Sequence, residues 1–247
     1  MKTSVVILTY NYNVFIDGAL IIDATLKALQ ANYREDIEII FVDNGSDDGT
    51  IEKLKKFPFP HTLISISGNR GISYGRNIGI NVSRADDFIM LLDGDISITP
   101  GWIFTLEDYL TKKINCHAVN FAWNNFTRDP SKASQQITPD LVAEIARTEV
   151  LSKFAVTNGG LYRREIFESG CMFPEHGAFG LPGWGWEDTC HAFIMRKKGY
   201  RTDIFFNALK FWHPRSHSRI ELEARGFSSN EAARRAALDA YIKDMQL

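Results

Sequence analysis

The sequence predicts an α/β fold with a doubly wound, mostly parallel sheet. Two observations indicate this class: short runs of β-branched and other apolar residues recur along the chain, and segments whose apolar residues have helical spacing lie between them. Such alternation is typical of parallel sheets. A chain of 247 residues, of which 45% are hydrophobic, can bury a large core. No repeat or linker-like tract divides it, so we expect a single domain over residues 1–247.

The alternation is clearest in the first 100 residues. The run SVVIL predicts a strand over 4–8, and apolar residues spaced from Phe15 to Leu29 predict a helix over 15–30. Further strands are expected at 37–42, 62–66 and 88–92, and further helices at 50–57 and 72–83. In such sheets ligands bind at the carboxyl ends of the strands, where Asp43, Asn69 and Asp93 fall.

The pattern is less regular after Trp102. It predicts a helix near 103–112, a strand near 117–123 and an exposed loop over 124–139. A strand and a short helix are expected within 154–167, and a Gly-Trp loop is expected to open another helix at Glu187. The tail from Ser228 predicts a final helix.

The strand FIMLL runs directly into two carboxylates, Asp93 and Asp95, separated only by Gly94. Two adjacent carboxylates repel each other, and burying either is costly unless a positive charge lies beside it. Residues i and i+2 of an extended segment point the same way, so both can reach one ion. Oxygen ligands favour Mg²⁺ or Mn²⁺. For an isolated Asp-Gly-Asp, a solvated turn is the simpler alternative.

The composition and charge of the chain exclude no function class outright, but they favour some classes over others. A net charge of −2 gives no overall attraction to nucleic acid or anionic lipid, although a local basic patch stays open. The three cysteines lack metal-site or redox spacing and are expected to be reduced, buried thiols. Neither a secretory signal nor an apolar stretch of membrane-spanning length is recognisable, which indicates a cytoplasmic protein with at most peripheral membrane contact.

Seven short motifs stand in a distinctive order: SVVILTYN, VDNGSDDGT, GNRGISYGRNIGI, LLDGDISITPGW, NGGLYRREIF, GWGWEDTCHAF and FWHP. This order resembles that of family-2 glycosyltransferases of the GT-A fold, over roughly residues 3 to 215. The Gly-Trp-Gly before Glu-Asp is similar to the galactosyltransferase and chondroitin-polymerase-like branch. The resemblance implies a nucleotide-binding half at 1–100, an acceptor half at 101–215 and a helical tail at 216–247.

The resemblance also implies a nucleotide-sugar donor, usually linked to UDP. Thr9, Tyr10 and Asn11 would line the pocket for base and ribose, and Asp43 would accept a hydrogen bond from the uracil ring. Arg70 and Arg76 would meet phosphate or base. Asn44 stands where many relatives have a second aspartate, so the sequence departs from the family pattern beside the proposed base pocket.

Metal binding is implied at the Asp-Gly-Asp motif, with Mn²⁺ or Mg²⁺ as the ion. Asp95 would be the direct ligand, Asp93 would contact ribose or a metal-bound water, and His213 would complete the shell. Gly94 would let the donor approach the backbone. For His213 alone, a buried histidine without a ligand is the competing explanation.

The acceptor side is implied by the motif GWGWEDTCHAF. Trp184 and Trp186 offer flat faces for a saccharide ring, and Gly185 and Gly160 would leave room for it. Asp188 would act as the general base in an inverting displacement, and Glu187 would bind an acceptor hydroxyl. Two acids at a helix start also fit a simple capping role.

Two other functions remain open from the sequence. The same chemistry could act on a modified base of DNA, for which HPRSHSR and two Arg/Lys runs could form a local basic patch. Alternatively the chain could be an inactive scaffold that binds nucleotide sugar, although retention of Asp95, Asp188 and His213 together argues against it.

Overall fold

The computed structural model describes residues 1–16, 19–121, 126–127, 159–175, 187–205, 211–212 and 243. The strands within these residues are β1 (Thr3–Thr9), β2 (Phe15–Ile16), β3 (Ala19–Leu20), β4 (Ile37–Asp43), β5 (His61–Ser65), β6 (Phe88–Asp93), β7 (Ser97–Ile98), β8 (Ala118–Phe121), β9 (Phe126–Thr127), β10 (Gly160–Arg163), β11 (Thr202–Phe205) and β12 (Phe211–Trp212). The helices are α1 (Ile21–Asn32), α2 (Thr50–Leu54), α3 (Ile72–Val82), α4 (Trp102–Lys112), α5 (Glu165–Glu168) and α6 (Glu187–Lys197).

A seven-stranded sheet forms the centre of the molecule, in the order β11-β8-β10-β6-β1-β4-β5. Only β10 runs antiparallel to its neighbours β6 and β8, whereas the other pairings in this sheet are parallel. A second sheet of three short strands has the order β7-β12-β9. The predicted α/β class with a mostly parallel sheet is therefore confirmed.

Strand β1 shows why the sheet lies inside the molecule. All seven of its residues are buried, and successive side chains point to opposite faces of a strand. Val5 and Ile7 pack in the core on one face, while Val6 and Leu8 pack in the core on the other. The expectation of a strand buried on both faces is confirmed.

The helix predicted over 15–30 begins later, at Ile21. The preceding residues instead form a small antiparallel pair in which Phe15 faces Leu20, and the Phe15 side chain is exposed. The backbone N–H groups of Ile21 and Ile22 donate to the carbonyls of Val14 and Tyr12, at 3.0 and 3.1 Å. Because the incoming loop satisfies these two N–H groups, the helix can begin there without a side-chain cap.

Most other boundaries lie within a few residues of their predictions, as comparison of α3, β6 and α4 with 72–83, 88–92 and 103–112 shows. The expected thiols are confirmed, since Cys116, Cys171 and Cys190 are free and buried. Within the loop expected over 124–139, Phe126 and Thr127 instead form β9, paired with β12, and the other residues of that range lie outside the described residues. Of the helix expected from Ser228, only Lys243 is described, and it is helical.

None of the helices in the described part of the chain combines the length and apolar character needed to cross a bilayer. The cytoplasmic location expected from the sequence stays a prediction.

Two glycines bring α3 against the sheet. A Cβ built on Gly75 would lie 2.3 Å from Cδ1 of Leu8, and one on Gly79 would lie 2.2 Å from Cγ1 of Val6. Both neighbours are buried side chains of β1, so they have little room to move. The close approach matters for the site because α3 also carries Arg76 and Asn77.

The packing of α3 can be tested with Gly79→Ala. Alanine favours a helix, but its methyl group would overlap Val6, so we expect a net loss of about 1–3 kcal/mol in the free energy of unfolding. Urea denaturation measures this loss. Asn81→Ala, at an exposed position of the same helix, is the control and should cost less than about 0.5 kcal/mol. Equal stability of wild type and Gly79→Ala would contradict the packing.

Candidate active site

Three strand ends meet at one edge of the sheet. Thr9, the last residue of β1, is paired with Asp43, the last residue of β4. On the other side of β1, Leu8 is paired with Asp93, the last residue of β6. The predicted convergence of polar strand ends at the carboxyl edge is thus present in the structure.

The Asp-Gly-Asp turn is held by backbone contacts to β1 and α1. Gly94 N donates to the Leu8 carbonyl at 2.7 Å, and the Thr25 hydroxyl donates to the Gly94 carbonyl at 2.9 Å. A Cβ on Gly94 would lie 2.6 Å from Cγ2 of Thr9 and 2.8 Å from Cδ2 of Tyr12. Protein packing therefore explains a glycine at this position, and donor contact at Gly94 stays a prediction.

Asp93 and Asp95 differ in exposure. The Asp93 side chain is partly exposed, whereas Asp95 is buried. Both act on Tyr12, which the sequence analysis did not single out: burial first, and then the charges of Asp95 and Asp93, raise the pKa of its phenol. Tyr12 therefore stays neutral beside the acid pair. Its position in TYNYN, just after β1, was the available signal.

Arg76 links the acid pair to the start of α6. Its guanidinium is buried, and Nη1 donates to Oδ1 of Asp188 at 2.6 Å and reaches Oε1 of Glu187 at 3.5 Å. Nη2 donates to Oδ1 of Asp93 at 3.3 Å. Although burial opposes the charge, these carboxylates raise the pKa of Arg76 further, so it stays charged. The sequence had predicted a phosphate or base contact for Arg76, and that role remains untested.

Glu187 and Asp188 lie in the first turn of α6, where the helix dipole favours acids. Burial is nevertheless the largest influence on both. It raises the pKa of Glu187 to about 7, with the Asp188 charge adding to the rise and Arg76 opposing it. Burial also raises the pKa of Asp188, against the effect of Arg76. A carboxylate with a raised pKa is a better proton acceptor than an exposed one.

An aromatic cluster holds α6 in place. His191 stacks on Phe173 with centroids 4.1 Å apart, and its Nε2 donates to the Cys171 carbonyl at 2.9 Å. Burial lowers the pKa of His191 to about 4, so the ring is neutral. No partner pattern in the sequence indicated a role for His191, and in the structure it helps to fix the helix that carries Asp188.

Asp43 organises the loop that follows β4. Its carboxylate is fully buried and accepts from the Thr9 hydroxyl at 3.0 Å and from the Ser46 hydroxyl at 2.5 Å. The backbone N–H groups of Gly45 and Ser46 donate to its other oxygen at 3.2 and 2.9 Å. These four bonds match the acceptor capacity of a carboxylate. A uracil contact, which stays a prediction, would have to share or replace one of them.

Asn11 also ties the first loop to the second. It adopts a left-handed backbone with φ 53°, a conformation that asparagine tolerates better than most residues. Its N–H donates to the Ser46 hydroxyl at 2.9 Å, and its side chain accepts from Asp47 N at 3.0 Å. Tyr10 is half-buried, and the donor contacts of Thr9, Tyr10 and Asn11 stay predictions.

Asn44 joins the β4 loop to the loop before α3. Its Nδ2 donates to Oδ1 of Asn69 at 2.9 Å and to the Gly71 carbonyl at 3.2 Å, while its Oδ1 accepts from Arg70 N at 3.0 Å. The Arg70 side chain is exposed and lies 3.9 Å from the centroid of the Tyr74 ring. Asn44 therefore needs both halves of an amide, which an aspartate does not have.

The remaining predicted site residues are only partly described. Gly160 is buried and paired with Leu91 on β6, two residues before the Asp-Gly-Asp turn begins at Asp93. Trp184, Gly185, Trp186 and His213 lie outside the described residues. Trp212, the residue before His213, is paired with Ser97, which is two residues after Asp95. Among the described residues, no group of three acids, histidines or cysteines is close enough to hold a metal.

Comparison with known proteins gives the family. The model of glycosyl transferase family 2 matches residues 4–171, more than half of the chain. The chain belongs to glycosyl transferase family 2. The family predicted from the motif order is thus confirmed, while the galactosyltransferase and chondroitin-polymerase-like branch remains a prediction.

Curated relatives in the family are similar over parts of their length. "Uncharacterized glycosyltransferase YfnE" of Bacillus subtilis is 34% identical over 119 residues, covering 47% of this chain and 27% of the relative. "Uncharacterized glycosyltransferase YwdF" of the same organism is 30% identical over 177 residues, covering 68% of this chain and 60% of the relative. The match thus spans less than two thirds of either relative.

Solved structures share the fold at low sequence identity. The Staphylococcus aureus TarS 1–349 complex with UDP-GlcNAc has a TM-score of 0.62 at 16% identity, covering 86% of this chain and 58% of that one. The mannosyltransferase PcManGT from Pyrobaculum calidifontis, in complex with GDP-Man and Mn²⁺, has a TM-score of 0.64 at 18% identity, covering 91% and 60%. These neighbours identify the fold as GT-A.

The raised pKa of Glu187 predicts a pH-dependent stability in the metal-free protein. Its pKa rises from a usual 4.5 to about 7, so between these values the folded state holds a proton that the unfolded state has released. The free energy of unfolding should therefore fall as pH rises through this window, and Glu187→Gln should flatten the fall. Denaturant titrations with chelator at several pH values measure it.

The matched control is Glu165→Gln, which changes an exposed glutamate of α5. It should reproduce the pH dependence of the wild type. An unchanged slope in Glu187→Gln would show that Glu187 does not titrate in this window.

Asn44→Asp tests the bridge between the two loops. A carboxylate would face Oδ1 of Asn69 and the Gly71 carbonyl without a hydrogen to donate, so we expect a loss of about 1–3 kcal/mol in the free energy of unfolding. Urea denaturation at neutral pH measures the loss. Asn115→Asp, the same change at an exposed residue, should have little effect. A similar small effect in both variants would contradict the bridging role.

Proposed function

We propose that the protein transfers a sugar from a UDP-sugar to a hydroxyl of a saccharide acceptor, with inversion at the anomeric carbon and with Mn²⁺ or Mg²⁺. The observation that supports this most directly is that Arg76 bonds to one member of each of two acid pairs, to Asp93 through Nη2 and to Asp188 through Nη1. Asp93 and Asp95 lie at the end of β6, and Glu187 and Asp188 lie at the start of α6. One pair suits a cation and a diphosphate, and the other suits a hydroxyl acceptor.

Charge supports a cation at this site. When ionised, the four carboxylates carry four negative charges, while Arg76 supplies one positive charge to the cluster. Oxygen donors of this kind suit Mn²⁺ or Mg²⁺. Asp95 and Asp93 would hold the ion together with His213. Once bound, the ion would supply charge neutralisation for the diphosphate leaving group.

Asp188 is the residue that we assign to proton transfer. An acceptor hydroxyl is a poor nucleophile until its proton is removed, and a partly buried carboxylate with a raised pKa can accept that proton. Glu187 would orient the acceptor by hydrogen bonding. Trp184 and Trp186 would stack on the acceptor ring, with Gly185 and Gly160 leaving space for it.

The donor side is proposed from the ordered loops after β1 and β4. Thr9, Tyr10 and Asn11 would border the base and ribose, and Asp43 would fix the loop or contact the uracil. UDP-GlcNAc in TarS and GDP-Man with Mn²⁺ in PcManGT are consistent with a nucleotide-sugar donor here. The Gly-Trp-Gly before Glu187 remains the reason to favour the galactosyltransferase and chondroitin-polymerase-like branch.

Two substitutions separate the proposed roles. Asp188→Asn should keep donor affinity but slow transfer by about 10²–10⁴-fold, because it removes the proton acceptor alone. Asp95→Ala should weaken Mn²⁺ and donor binding together. Calorimetry measures binding, and release of nucleoside diphosphate measures turnover. Candidate donors are UDP-glucose, UDP-galactose and their N-acetyl forms.

Asp108→Asn is the matched control, since Asp108 is a partly exposed acid on α4 paired with Lys112. It should leave both binding and turnover unchanged. Equal loss of donor affinity in Asp188→Asn and Asp95→Ala would contradict the division of roles. The absence of donor binding and turnover in the wild type would overturn the proposed function.

A further inference from the structure

The guanidinium of Arg76 joins three elements of the fold at one point. Arg76 belongs to α3, Asp93 ends β6, and Asp188 lies in the first turn of α6. Arg76 is 17 residues from Asp93 and 112 residues from Asp188 along the chain. A rigid planar group that bonds to both carboxylates fixes the position of one relative to the other.

The backbone that carries Arg76 is itself firmly placed. Gly75 and Gly79 flank Arg76 on α3, and neither position has room for a side chain against β1. The guanidinium carbon lies 5.3 Å from the centroid of Phe173, and Asn77 bonds to both the N–H and the carbonyl of Phe173, at 3.0 and 2.8 Å. Arg76 is therefore held from its backbone and along its side chain.

The contact with Asp188 distinguishes its two oxygens. Nη1 of Arg76 donates to Oδ1 at 2.6 Å. Among the described residues, no hydrogen bond is made to Oδ2, and the side chain retains a relative exposure of 21%. Because a carboxylate is planar, fixing Oδ1 also fixes the direction in which Oδ2 points. Oδ2 is thus the oxygen left to accept a proton.

We propose that Arg76 is a positioning residue for the reaction, which orients Asp188 so that Oδ2 faces the acceptor hydroxyl and ties it to the Asp93 end of β6. This inference rests on the proposed function. Arg76 need not contact the substrate to act in this way. Its effect is on the step in which Asp188 takes the proton, and not on the affinity for the donor.

An arginine is required for this role because two donors must act at once. Nη1 and Nη2 reach carboxylates of different elements, and their separation is set by the guanidinium plane. A lysine would keep the positive charge but would concentrate it at one flexible nitrogen. Arg76→Lys therefore separates orientation from charge.

The test compares Arg76→Lys with Arg34→Lys in the full chain. Arg34 is a matched control because its guanidinium also joins two acids, with Nε 3.0 Å from Asp36 and Nη2 2.8 Å from Glu107, on elements other than α3, β6 and α6. Turnover with the best donor gives kcat and KM, and calorimetry gives donor affinity. Both variants are assayed well below their unfolding temperatures.

We expect Arg76→Lys to lower kcat by at least about tenfold while donor affinity changes by less than about threefold. Arg34→Lys should leave both unchanged. Adding Arg76→Lys to Asp188→Asn should cause little further loss, because a positioning residue has no effect once its base is gone. Should Arg76→Lys not fold, Asn77→Ala, which frees Phe173 beside Arg76, should lower kcat without changing donor affinity.

Four outcomes would overturn the inference alone, with the wild type still active. The first is an unchanged kcat in Arg76→Lys, or in Asn77→Ala where that variant is used instead. The second is a loss of donor affinity that accounts for the whole effect. The third is a full additional loss of kcat in the double variant. An equal loss in Arg34→Lys would also overturn it, since the effect would then be one of general stability. A wild type without nucleotide-sugar turnover would instead defeat the proposed function and this inference with it.

Discussion

The burial of Arg76 among carboxylates is the interaction on which the candidate site depends. A buried guanidinium is costly unless acids surround it, and buried acids are costly unless a cation lies between them. Arg76 meets both requirements for Asp93, Glu187 and Asp188. It does not balance them, since three carboxylates share one guanidinium. The remaining negative charge is consistent with a site completed by a cation.

Small residues make this arrangement possible. Gly75 and Gly79 let α3 approach β1, and Gly94 lets the Asp-Gly-Asp turn pack closely against Thr9 and Tyr12. A side chain at any of these positions would move α3 or the turn outward, and with it one partner of the Arg76 cluster. The geometry of the charged groups is therefore set by packing at three glycines that bear no charge themselves.

The sequence predicted the long strands of the large sheet well, because burial on both faces leaves a strong local pattern, as in β1 and β6. It also placed Asp43 and Asp93 correctly at one edge, with Asn69 bonded to the loop that follows Asp43, since strand ends in a parallel sheet must converge. It missed the start of α1, where the carbonyls of Tyr12 and Val14 take the place of a side-chain cap. It could not show the pairing of Arg76 with Asp188, because no local pattern reports contacts between segments 112 residues apart.

The two sides of the site are ordered in different ways, and this difference bears on function. The loops after β1 and β4 are joined by several hydrogen bonds through Asp43, Asn11 and Asn44, so the proposed donor side is preorganised. The start of α6 is instead held by the bond from Arg76 of α3 to Asp188, together with the stacking of His191 on Phe173. Preorganisation reduces the cost of bringing reacting groups together. On the proposed acceptor side the orientation of Asp188 depends on Arg76, so a change at Arg76 should reach the proposed proton-transfer step while leaving the loops after β1 and β4 intact.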